Sequence, residues 1–346
     1  MDQVSIDGVG GTQAPASSSD ATSGPSSAAR GPRKSWTRLA GPYAVPAVLV
    51  VLIIVFSIAM PSTFLTGTTW RGMAQSQSVL LVLALAVTLP LRNGDFDLSI
   101  GAVAALSSSV TAIMATTFGW NPIAAVAVGL LCSLLVGIVN CFGVLIVGID
   151  AFIATLATMT VVTGITFLIT HTTVVIGIPD ALVSISRTQI LGLPSSVYYG
   201  WGIAIVLWVV YQYTPYGRFS LFVRGNPHAA KLIGIRVDRV RALAFIWCSI
   251  LSGVAGVIVL GIVGAGDPGI GSQFLLQPYA AAFLGATAIQ LGRFNVVGTI
   301  FGLYLIVVGV TGLQLLGASG PISQVFYGTV LFVSVGLAKF AERRAS

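Results

Sequence analysis

The sequence predicts an all-α, polytopic integral membrane protein with about ten spanning helices. Three observations predict it. Of 346 residues, 55% are hydrophobic and only 8% carry a charge, where a soluble domain carries about 25%. Mean hydropathy is +0.96, and 40 glycines lie among the apolar residues, as in helices whose backbones approach closely inside a bilayer. The charges also leave long runs without Lys, Arg, Asp or Glu, each wide enough for a helix of roughly 20 residues.

Taken in order, residues 39–70 and 72–91 hold one span each. Residues 98–149 hold two, with a turn at Trp120-Asn121-Pro122. Residues 151–179, 188–217, 242–266 and 268–292 hold one each, and 294–338 hold two, broken at Gly317–Pro321. Alternating these spans from a cytoplasmic N-terminus places 15 of the 17 Lys and Arg residues inside and leaves only Arg71 and Arg187 outside. The positive-inside rule asks for this asymmetry. The net charge of +7 then belongs to the cytoplasmic face. It suits anionic headgroups or an acidic partner surface rather than nucleic acid.

Residues 1–38 form a Ser/Ala/Gly/Pro-rich cytoplasmic tail with a basic end, expected to be disordered because it has too little apolar surface to bury. Residues 39–340 form the transmembrane domain, and 341–346 a cytoplasmic C-terminal tail. The run Tyr43–Met60 starts late and no small-residue cleavage site follows it, so it reads as an uncleaved first span. Cys132, Cys141 and Cys248 fall inside spans with no metal spacing and no disulfide framework. His171 and His228 fall in loops. No G-x-x-x-x-G-K-[ST] occurs, and the glycine-rich 264–271 stretch lacks the Lys and Ser/Thr that hold phosphate and Mg²⁺. No nucleophile–base or metal constellation can be assembled, so an enzyme is not expected. Uphill transport would need an ion gradient or a separate ATPase.

The longest basic loop, 216–241, carries a short helix marked at both ends. Asn226 is an N-cap, Pro227 suits the first helical position, and Gly234 suits the left-handed position after the last turn. Residues 227–233 make about two turns, with Ala229, Leu232 and Ile233 on one face. So short a helix needs something to pack on. The bilayer surface and a protein partner are both open.

The stretch Gly225-Asn226-Pro227-His228-Ala229-Ala230-Lys231-Leu232-Ile233-Gly234-Ile235 resembles the coupling segment of ABC-transporter permeases of the ribose/xylose/galactose type. Asn93-Gly94-Asp95-Phe96-Asp97-Leu98-Ser99-Ile100-Gly101 resembles that family's G-G-I-D-L-S-V-G segment. Phe152–Met159 is similar to its F-I-x-T-L-G-T-M stretch, and Ala281–Thr287 with Gly298–Gly302 to its A-x-x-L-G-G-T … G-T-x-x-G region. Together these cover roughly residues 43–340 in the family's order. His228 departs from the family's acidic residue, and Ala286 from a glycine.

The resemblance implies the ABC importer permease fold and a complete division of labour. This chain would be the permease, passing a small sugar or polyol across a bacterial-type cell membrane. An extracytoplasmic solute-binding protein would deliver the substrate. A separate ATPase subunit, docked through Gly225–Ile235, would use ATP and Mg²⁺, so that this chain binds no cofactor. A second permease chain, identical or paralogous, would complete the pathway.

Asp95 and Asp97 are the only closely paired carboxylates. They read either as hydrated acids at a cytoplasmic edge, with Asp97 favoured by the dipole of the third helix, or as part of a broken helix dipping toward the pathway, with Asn93-Gly94 as the break. Asn93, Asp95, Asp97, Ser99, Thr155 and Thr158 are the pathway candidates. Gly298 and Gly302 form a G-x-x-x-G pair suited to close helix packing. The rival function is a secondary transporter with Asp95 and Asp97 as its ion site.

Overall fold

The computed structural model describes residues 42–318 and 320–345. The Ser-rich tail read from the sequence, residues 1–38, lies outside the described residues. Each of the ten expected spans contains a helix: α1 (Ala44–Ala59), α2 (Gly67–Leu91), α3 (Ile100–Thr116), α4 (Pro122–Cys141, continued by a π-helical turn over Phe142–Val147) and α5 (Ala151–Ile169). A short amphipathic helix, α6 (Asp180–Arg187), precedes α7 (Ser195–Tyr213). Two helices without a span follow, α8 (Pro215–Gly225) and α9 (Pro227–Leu232). The chain then continues through α10 (Val237–Val263), a 3₁₀ turn over Ile270–Phe274, α11 (Leu276–Ala286), α12 (Val296–Leu315) and α13 (Gly320–Ala345). A hairpin of two-residue strands, Gln189–Ile190 and Leu193–Pro194, turns on Leu191 and Gly192.

Helix starts follow local chemistry. Asn121 accepts from the Ile123 amide with Pro122 in the first turn, Asp150 accepts from the amides of Phe152 and Ile153, and Asn295 accepts from that of Gly298. Each satisfies amides that have no partner within their own helix. The last helix runs on to Ala345, through the segment set aside as a C-terminal tail, because Ala341-Glu342-Arg343-Arg344 are good helix formers.

The sequence predicts ten full spans, and the helices are less uniform. Among the described residues, α2, α4 with its π turn, α5, α10 and α12 are long and apolar enough to cross a membrane. Helix α3 has 17 residues and α11 only 11, about 25 Å and 16 Å at 1.5 Å per residue, against roughly 30 Å of hydrocarbon. Hydropathy alone does not show the α11 shortfall, because residues 264–275 carry a single charge, Asp267, whereas 92–99 holds Arg92, Asp95 and Asp97. Each short helix follows an irregular segment, 92–99 before α3 and 264–275 before α11. The interrupted regions pack on each other so tightly that a Cβ on Gly101 would collide with the Gly271 carbonyl. Irregular backbone at membrane depth is tolerated when it is buried in protein. Helix α10 is central, packed against α2, α3 and α4.

The basic residues divide between the two ends of the helices. Arg187 donates to the carbonyls of Ile262 and Val263 where α10 ends, and Arg71 lies near Gly192 of the hairpin. Arg92, Arg224 and Arg241 gather at the opposite end.

Candidate functional site

The short helix forms as its end signals predict. The Asn226 side chain accepts from the Ala229 amide at 3.0 Å, and Pro227 opens the helix. Gly234 has φ +85°, the Gly234 amide donates to the Lys231 carbonyl, and the Ile235 amide donates to the Ala230 carbonyl. That pair of bonds is the Schellman closure. The helix ends at Leu232 rather than Ile233. Its inward residue is Ala230, packed with Val223, Val237 and Val240. Ala229 is exposed, Leu232 is 89% exposed and Ile233 67%. The apolar face read from the sequence therefore exists but does not pack on this chain.

The segment 91–99 lies beneath this loop. At its start, Gly94 takes φ +92°, a conformation that side chains with a Cβ rarely adopt, and the α2 helix breaks there. Arg92 is buried and donates to the Phe294 carbonyl at 2.6 Å, the Gly217 carbonyl at 2.8 Å and Ser220 Oγ at 3.2 Å, with its guanidinium 4.1 Å from the centre of the Tyr211 ring. Arg224 donates to the Leu91 carbonyl at 3.0 Å. Asp95 receives both arms of Arg241, at 2.8 Å from Nε and 2.7 Å from Nη2. Asn93 is buried, in a long 3.5 Å contact with the Val240 carbonyl.

Two residues further on, the chemistry changes. Asp97 is fully buried, and no cation pairs with it among the described residues. Its Oδ1 accepts from the Ser99 amide at 3.0 Å, Ser99 Oγ at 2.5 Å and Asn140 Nδ2 at 3.4 Å, and the Cys248 thiol faces the carboxylate. The Tyr279 hydroxyl of α11 donates to the Asp97 carbonyl at 2.6 Å and accepts from the Asp97 amide at 3.1 Å. Thr155 of α5 accepts from the Leu98 amide at 3.1 Å. Between them, Phe96 stacks on Tyr279 and Phe283 and meets Phe152 edge-on.

The reading of both acids as hydrated is thereby corrected. Asp95 is buried in an ion pair, and Asp97 is withdrawn from solvent at the break between α2 and α3. The structure brings Asn93, Asp95, Asp97, Ser99 and Thr155 together in one stretch. It leaves Thr158 apart, half-buried, with its hydroxyl bonded to the Ala154 carbonyl of its own helix. Gly298 and Gly302 lie against the backbone of α11, where a Cβ would meet the carbonyls of Gly285 and Ala281.

Residues 70–335 match the family described as branched-chain amino acid transport system / permease component. The chain belongs to this permease family. The permease is 33% identical to the ribose import permease protein RbsC of Bacillus subtilis, over 83% of this chain and 89% of the relative. It is 29% identical to the L-arabinose transport system permease protein AraH of Escherichia coli, over 89% and 94% of the two chains. It is 25% identical to the fructose import permease protein FrcC of Rhizobium meliloti, over 88% and 87%. No solved structure gives a significant match.

Sequence reasoning missed four residues that this permease places at the site. Tyr279, Asn140 and Cys248 lie in runs that read as spans, and Arg241 reads from the sequence only as a positive-inside charge. Asn140 alone carried a signal, as an amide within an apolar helix. The others become visible only when α10 and α11 are folded against the 91–99 segment.

Proposed function

We propose that this chain is the membrane-spanning subunit of an ABC importer for a small sugar or polyol. The observation that carries the reading is the α9 helix: rigidly capped, set on a basic loop, and presenting Leu232 and Ile233 outward. An exposed apolar pair on a rigid element is what a docking contact needs. It suits a cytoplasmic ATPase, to which ATP and Mg²⁺ belong. Relatives that import ribose, arabinose and fructose support a sugar as cargo. A solute-binding protein delivers it from outside, and a second permease chain completes the pathway. The termini lie in the cytoplasm, supported by the fifteen-to-two division of basic residues and the gathering of Arg71 and Arg187 at one end.

The test is co-purification followed by uptake. The tagged chain, expressed with its genomic neighbours, should bring down a P-loop ATPase. Reconstituted with the binding protein, it should accumulate labelled ribose, fructose or L-arabinose only when ATP is supplied. Accumulation driven by a proton or sodium gradient without ATP would favour the secondary-transporter reading and overturn this one.

A further inference from the structure

We infer that the Asp95–Arg241 ion pair is the joint through which movement of the 215–241 loop reaches the interior Asp97 cluster, making both residues positioning residues for transport. The inference rests on the importer reading. Its first part is the connection on the loop side. Arg241 sits just over one turn into α10, and the first turns of that helix, through Val237 and Val240, pack directly on Ala230 of α9. A displacement of α9 therefore moves the base of Arg241, because close-packed apolar side chains shift together.

The second part is the connection on the interior side. Asp95 precedes by two residues the backbone groups held by Tyr279, and Phe96–Ser99 is fastened to α4, α5 and α11 through Asn140, Thr155 and Tyr279. The segment cannot follow the loop freely; it is pulled by whatever grips Asp95.

The third part is the grip itself. Both arms of the guanidinium engage both carboxylate oxygens, and the Asp95 side chain is 9% exposed. A two-point fork fixes orientation as well as distance, which a single point charge does not. Arg92, Asn93 and Arg224 tie the loop only to residues 91–93, before the Gly94 turn, whereas the ion pair reaches the segment beyond it.

An ordinary structural staple predicts something different. Its loss reduces the amount of folded permease, and uptake and hydrolysis fall in proportion. Loss of a joint lowers the sugar moved per ATP while hydrolysis continues. The experiment compares the parent with Asp95→Asn, Arg241→Gln, the double variant and Arg241→Lys. Each is studied as the complete importer in proteoliposomes, with labelled ribose, fructose or L-arabinose as probe. Each of the first two should lower sugar per ATP about tenfold, within the usual span of coupling between sites. The double variant should fall no further, as expected for two residues acting through one contact. Arg241→Lys, which keeps the charge and loses the fork, should fall in between. Uptake and hydrolysis that decline together, or single losses that multiply in the double variant, would overturn the joint. If Asp95→Asn fails to reach the membrane, the Arg241→Lys ratio decides alone. A parent without ATP-driven uptake removes the importer reading and the inference with it. A working parent whose variants keep its ratio removes only the inference.

Discussion

Tyr279 joins two interrupted helices through one hydroxyl. As donor and acceptor at once, it satisfies both backbone groups of Asp97, which the break between α2 and α3 leaves without helical partners. Replacing it with Phe keeps the ring against Phe96 and removes both bonds. Leaving buried backbone groups unmade costs about 1–3 kcal/mol. Tyr279→Phe should therefore lower the thermal midpoint of the purified permease, measured by scanning fluorimetry in detergent, without preventing insertion. An unchanged midpoint would mean that the Asp97 backbone finds other partners. At this scale the sequence is nearly silent. A tyrosine in an apolar run has no local mark of a partner 182 residues away.

At the scale of the element, the α9 helix is the most legible part of the molecule. Its N-cap, first-turn proline and left-handed stop all lie within nine consecutive residues, so local rules suffice. What local rules do not decide is which face turns inward, because Ala229 and Ala230 are alike until the neighbouring α8 and α10 are placed. Leu232→Arg should leave the permease folded and abolish its association with the ATPase in pull-down, since the side chain touches little of its own chain. Gly234→Val introduces a Cβ at φ +85°, at roughly 1–2 kcal/mol for a left-handed residue. It should weaken the same association more mildly. Normal association of both variants would mean that the docking contact lies elsewhere. The interrupted helices are the opposite case. The length of α11 could not be read, because a hydropathy run looks the same whether its residues are helical throughout or half irregular.

For the whole molecule, the charge asymmetry leads to a topology that labelling can check. Single cysteines placed in 171–194, in a background with Cys132, Cys141 and Cys248 replaced, should react with a membrane-impermeant maleimide in intact cells. Cysteines placed in 216–236 should react only after the membrane is opened. Labelling of both loops from the same side would remove an odd number of crossings between them.

The sequence by itself determined the all-α membrane class, the ten helical segments and the capped basic-loop helix, because composition, charge-free length and short-range capping act locally. Only the tertiary structure decided the difference between Asp95 and Asp97. The two carboxylates stand two residues apart in one motif, yet one meets Arg241 and the other is enclosed by Ser99, Asn140 and Cys248, with no cation paired to it among the described residues. That difference depends on which helices close over residues 91–99. Helices far apart in the chain meet there because their apolar and small faces fit, and this long-range packing leaves no mark on the local sequence.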